Sequence, residues 1–85
     1  MDVRDYVLAF ESTHAAMAAD KALAPAGAKL IPTPRAVSAG CGMSLRFAAA
    51  GDAEALALVR SVDAAYGLAA LYRMEGGACE LVERL

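Results

Sequence analysis

The chain has no tryptophan and only five aromatic residues, three Tyr and two Phe. Met43-Ser44-Leu45-Arg46-Phe47 does not supply the exposed rings with basic neighbours that an RNA-reading sheet requires. Neither sign of charge dominates: 8 Lys and Arg face 10 Asp and Glu, with a pI near 5.2. The electrostatic footprint of a nucleic-acid or anionic-membrane partner is therefore missing. No apolar run approaches the roughly 20 residues of a membrane span. Met1-Asp2-Val3-Arg4-Asp5 lacks the basic-then-apolar order of an export signal, so a cytoplasmic location is expected. One His and two distant Cys do not make a zinc site, and neither a metal nor a cofactor is expected. The cysteines, Cys41 and Cys79, default to free thiols in a reducing compartment.

What is abundant is alanine, 22 of 85 residues, which explains how 59% of the chain is apolar with so few rings. The core is expected to be built from small side chains. A single domain of this size buries about 60–65% of its unfolded surface, so stability should be modest and homodimerisation would add to it.

Asp5-Tyr6-Val7-Leu8-Ala9-Phe10 reads as a first strand, ended by a polar cluster. Ser12 or Thr13 then caps a helix from His14 to about Leu23, with Ala15, Ala16, Ala19, Ala22 and Leu23 as its buried stripe and Pro25 and Gly27 after it. Ala28–Pro32 is a second strand at a sheet edge, since Pro32 has no N–H for a ladder. Met43–Phe47 is the third strand. A second helix starts at Gly51-Asp52, with Asp52 as N-cap, Glu54 in the first turn, an inner face of Ala55, Leu58, Val59, Val62 and Tyr66, and Gly67 at its end. Leu68–Met74 is the fourth strand. The expectation is an α+β fold, a ferredoxin-like β-α-β-β-α-β two-layer sandwich with a four-stranded antiparallel sheet, occupying residues 1–75 and followed by a tail, 76–85, which contains Gly76-Gly77 and has room for a short added helix or strand.

In that topology the turn before the first helix and the loop between the second and third strands leave the sheet at one end. The loop contains Gly40-Cys41-Gly42. Glycines on both sides leave a thiol uncovered, and Arg35 and Arg46 favour its thiolate. Cys41 is thus the expected reactive group. The first turn of the first helix exposes unpaired N–H groups that favour an anion, so Ser12, Thr13, Gly40, Gly42 and Arg46 are candidates for the thiolate or anion environment, with His14 and Arg35 assisting Cys41. The plainer readings are that Ser12 and Thr13 are caps, that His14 and both arginines are surface residues, and that Cys79 is structural.

Phe10-Glu11-Ser12-Thr13-His14, Leu30-Ile31-Pro32-Thr33-Pro34-Arg35, Ser38-Ala39-Gly40-Cys41-Gly42-Met43-Ser44-Leu45-Arg46-Phe47 and Leu71-Tyr72-Arg73 together resemble a small bacterial domain family of Se/S carrier-like proteins, over roughly residues 5–75. The chain departs from that pattern in having Gly40 before the Cys and Ala15 after the His. The resemblance implies a carrier rather than an enzyme. It would hold sulfur or selenium on Cys41 as a persulfide or perselenide, receive it from a cysteine desulfurase-like donor and pass it to an acceptor protein. The alternative is an anion-binding or thiol-redox regulatory module using the same end of the sheet.

Overall fold

A computed structural model describes residues 3–10, 12–34, 37, 42–60, 68–76 and 78–84. The elements in chain order are β1 (Arg4–Phe10), α1 (Thr13–Leu23), β2 (Lys29–Pro32), β3 (Met43–Ala49), α2 (Asp52–Arg60), β4 (Leu68–Glu75) and β5 (Ala78–Arg84), with a 3-10 turn at Ala24–Ala26. The strands form one antiparallel-paired sheet in the order β2-β3-β1-β4-β5.

The expected four-stranded ferredoxin-like sandwich is overturned by the fifth strand. The segment assigned to a tail forms a hairpin with β4, whose register pairs Glu75 with Ala78 and Arg73 with Glu80. Gly76, at φ 56°, supplies the left-handed backbone that a two-residue hairpin turn needs. Alternation across the hairpin sets Arg73 and Glu80 directly opposite, a charge pair that favours closure.

β1 is central, and Tyr6 through Phe10 are all buried. Its unbroken apolar run reflects cover on both faces rather than one. On one face Tyr6, Leu8 and Phe10 join Leu45, Phe47 and Leu71 beneath Ala16, Ala19 and Leu23 of α1 and Ala55 and Val59 of α2. Small alanines let α1 approach the sheet closely. On the other face Val7 and Ala9 pack with Val37, against Ile31, Tyr72, Met74 and Cys79.

Three local expectations are corrected. Ala22 is exposed, so the inner stripe of α1 is Ala15, Ala16, Ala19 and Leu23. Asp52 is the first residue of α2 and not its cap: the Ala55 N–H donates to the Gly51 carbonyl, and the Asp52 carboxylate is engaged elsewhere. Glu54 reaches back to accept the Ala50 N–H at 2.7 Å, one residue before the usual donor of a capping box. Strand β3 runs on to Ala49. Val62, Tyr66 and Gly67, expected on and after the inner face of this helix, lie outside the described residues.

Candidate functional site: the end of the sheet where β1 stops

The register fixes what shares an end. Ala9 of β1 stands opposite Ser44 of β3, and Met43 opposite Pro32 of β2. The exit of β1 into α1 and both ends of the β2–β3 connection therefore meet at one end of the sheet. The connection is closed at its neck. The Thr33 N–H donates to the Gly42 carbonyl at 2.9 Å, and the Thr33 and Ser44 hydroxyls are hydrogen-bonded at 2.7 Å. Ser44 is fully buried, so its hydroxyl depends on that partner to offset desolvation. Between the two sides of the neck, the Val37 N–H donates to the Pro34 carbonyl, and the Val37 side chain is buried on Val7 and Ala9.

Ser12, in extended conformation, is the N-cap of α1: its hydroxyl accepts the Ala15 N–H at 3.1 Å, and its carbonyl accepts the Ala16 N–H. Among the described residues the Thr13 and His14 N–H groups have no partner. No acidic side chain lies in this first turn, so its partial positive charge is not compensated from within. His14 is exposed and lines a groove of about 310 Å³ with Met17, Ala18, Asp20, Lys21 and Leu30, along the seam between α1 and edge strand β2. A Cβ built on Gly42 would meet nothing within 4 Å.

Arg46 is not brought to this cluster. It faces the side of the sheet away from the helices, in register with Val7 and Lys29, and its guanidinium donates to Asp5 at 2.7 Å. Cys41, Arg35 and Gly40 lie outside the described residues. Cys79 is half-buried at the opposite end of the sheet, paired with Met74, and burial pushes its thiol above the usual value. Among the described residues no group of His, Cys, Asp and Glu could hold a metal ion, and no helix is long and apolar enough to cross a membrane.

A polar cluster at that opposite end was not anticipated. The Tyr6 hydroxyl donates to Asp52 at 2.7 Å, and Arg73 donates to Asp52 at 2.6 Å and to Glu80 at 2.8 Å, with Arg4 bonded to Glu75 nearby. Burial, then the hydrogen bond to Asp52 and its charge, push the Tyr6 phenol up to about 12. Hydrogen bonds from Tyr6 and then Arg73 hold the Asp52 carboxyl below its ordinary value. The cluster fastens the first turn of α2 to β1 and β4. Reading Gly76-Gly77 as a hairpin turn would have placed Arg73 opposite Glu80 and revealed part of it.

Residues 5–67 match the model of a family described as "Putative Se/S carrier protein-like". The matched stretch runs from the start of β1 past α2 and includes the whole β2–β3 connection, whereas β4 and β5 lie beyond it. No curated protein and no solved structure matches the chain.

Proposed function

The chain belongs to the Se/S carrier-like family, its family match spanning residues 5–67, and on that footing we propose that it carries sulfur or selenium covalently on Cys41. The observation that carries the reading is this match, which takes in Cys41 and the loop around it. Supporting it, the neck of the loop and the uncompensated first turn of α1 leave the sheet at one end, where a thiolate is favoured electrostatically.

In the proposed transfer, the Cys41 thiolate attacks the outer sulfur of a donor persulfide. The new S–S bond forms on Cys41 as the donor's S–S bond breaks, the donor departs as a thiolate, and the terminal sulfur keeps its proton. No oxidant or reductant is consumed. A cysteine desulfurase-like protein is the donor class, and unloading onto an acceptor thiolate repeats the step in the other direction. The selenium case is the same exchange with selenium as the terminal atom. In this reading Arg35 and the first turn of α1 stabilise the thiolate, His14 tunes protonation, and Thr13, Gly40 and Gly42 keep the surroundings open. Ser12 contributes by fixing the start of α1, its hydroxyl being used as a cap. Arg46 is assigned no part, because Asp5 holds its charge on the other side of the sheet. A thiol that cycles through a persulfide requires a reducing compartment, which is the ground for placing the protein in the cytoplasm.

Intact-mass measurement after incubation with a cysteine desulfurase and cysteine tests the proposal. Wild type gains about 32 Da per sulfur atom and loses it to a thiol reductant, because the link is an exchangeable S–S bond. Cys41→Ser abolishes loading and Cys79→Ser does not. Wild type that never loads, or loading that persists in Cys41→Ser, refutes it.

A further inference from the structure

On the face of the sheet that carries no helix, Lys29 of β2 and Arg46 of β3 stand directly opposite each other in the antiparallel register. Residues so placed have Cβ atoms about 4.5–5.5 Å apart, and like charges in that relation destabilise a sheet. The chain relieves this pair only in part. Asp5, diagonally across on β1, accepts one hydrogen bond from the Arg46 guanidinium at 2.7 Å, which leaves its other N–H groups unused. Among the described residues the Lys29 ammonium has no hydrogen bond or ion pair. Both cations are exposed, and with Asp5, Ile31, Ala48 and the Gly27 turn they line a hollow of about 270 Å³ at the start of β2. Two cations thus share an open hollow with one carboxylate, and one positive charge is left over.

We propose that this hollow binds a small organic acid whose carboxylate lies between Lys29 and Arg46. A monoanion matches the single excess charge, whereas a phosphate dianion would stay partly unneutralised beside Asp5. The unused edge of the Arg46 guanidinium offers the planar, paired donors that fit a carboxylate, and Asp5 fixes the orientation of that group. Lys29 adds a point charge from the neighbouring strand. Ile31 and Ala48 form an apolar wall for a short carbon chain. Pockets for drug-sized ligands run from about 300 to 1,000 Å³, so a hollow below that range suits an acid of only a few carbons. Once bound, the acid converts the repulsion between two cations into the attraction of both to one anion. The hollow lies where β1 and β2 start, at the end of the sheet away from the neck of the β2–β3 connection, and is separate from the proposed carrier site.

The test is an amide NMR titration of the full chain with sodium propionate at constant ionic strength, with propionamide as the neutral isostere and inorganic phosphate as the competing anion. Propionate is expected to give saturable shifts at the amides of Gly27, Lys29, Ile31 and Ala48, propionamide to give none, and phosphate to bind more weakly than propionate. Lys29→Gln and Arg46→Gln should each weaken propionate binding about tenfold, the loss of one charge-assisted contact. Arg46→Lys keeps the charge without the planar fork and should weaken binding nearly as much, whereas Lys29→Arg should stay near wild type. Thermal melts of the ligand-free proteins give a second readout: Lys29→Gln removes a like charge and no partner, so its Tm should equal or exceed that of wild type. Absence of saturable shifts, equal binding of propionamide or phosphate, or unchanged binding in Lys29→Gln overturns the proposal. A Lys29→Gln protein that melts below wild type overturns the like-charge strain on which it rests. Neither measurement involves Cys41 or a sulfur donor, so a chain that never loads sulfur refutes the carrier reading alone, and a chain that ignores propionate refutes only this site.

Discussion

Replacing Tyr6 by Phe removes one hydroxyl and nothing else from the interior. The ring keeps its stacked contact with Phe47, centroids 5.7 Å apart, so no cavity opens. What is lost is a 2.7 Å hydrogen bond from a fully buried phenol to a carboxylate. Hydrogen bonds to charged groups contribute about 1.5–3 kcal/mol. The Asp52 side chain is 42% exposed and keeps its bond from Arg73, so water recovers part of the loss. The expected cost of Tyr6→Phe is therefore toward the low end, about 1–2 kcal/mol, or roughly 4–16 °C in Tm for a domain of this size. Urea melts should show a lower midpoint with an unchanged slope. The pH dependence gives a sharper check. Asp52 is held below its ordinary value first by Tyr6, so the stability it provides is present above about pH 4 and is lost as pH falls through the lowered value. The gap between wild type and Tyr6→Phe should narrow in acid. A gap under about 0.5 kcal/mol at neutral pH, or one equally wide in acid, would refute the assignment of this bond as a principal fastening of α2.

At neutral pH Cys41 should alkylate with iodoacetamide faster than Cys79, whose thiol is pushed up by burial, and equal rates would remove the case for a thiol adapted to transfer. Thr13→Glu places a carboxylate in the first turn of α1, so thermal melts should show a gain of about 0.3–1 kcal/mol while Cys41 alkylation at neutral pH slows; either effect appearing without the other would contradict a shared electrostatic origin. Tyrosinate absorbance during an alkaline titration should show a late component near pH 12 that Tyr6→Phe lacks. The stability contributed by the neutral phenol should be complete below about pH 10 and disappear as pH rises through the folded value. Truncation after Glu75 removes β5 and leaves β4 as a bare edge, so far-UV circular dichroism and light scattering should report loss of fold or aggregation; a monomeric, fully folded product would mean that β5 is dispensable.

The parts of the fold that local chemistry dictates were legible. β1 was expected at residues 5–10 and is Arg4–Phe10, and the capping hydroxyl before α1 proved to be that of Ser12. What escaped depends on partners distant in sequence. Asp52 has the sequence signature of an N-cap, but Tyr6, 46 residues earlier, and Arg73, 21 residues later, claim its carboxylate. Ala22 falls on the three-and-four stripe, yet the stripe that the sheet covers is narrower. In the tail a short helix and a strand stay open, because Ala78-Cys79-Glu80-Leu81-Val82-Glu83-Arg84 carries too little apolar alternation to decide between them; the pairing as β5 comes from the Gly76 turn and the Arg73 charge. Val37 gave no periodic signal, because its burial rests on Val7 and Ala9, which are distant in sequence.

The two helices differ in how their positive ends are treated, and this separates the two ends of the sheet chemically. The first turn of α2 carries Asp52 and Glu54, so its partial charge is met by its own carboxylates, and Asp52 is drawn into the bonds with Tyr6 and Arg73. That end is electrostatically closed: an arriving anion would meet Glu75 and Glu80 as well. The first turn of α1 carries Ser12, Thr13 and His14 and no acid. The N–H groups of Ala15 and Ala16 are satisfied by Ser12, and among the described residues those of Thr13 and His14 have no partner, at the end of the sheet where the neck at Thr33 and Gly42 emerges. Among the described residues, the first turn of α1 is the one whose positive end is not met by an acid of its own. Under the proposed carrier function, this is the end whose helix start would favour a thiolate, whereas Cys79, placed by β5 at the acidic end, is pushed up by burial.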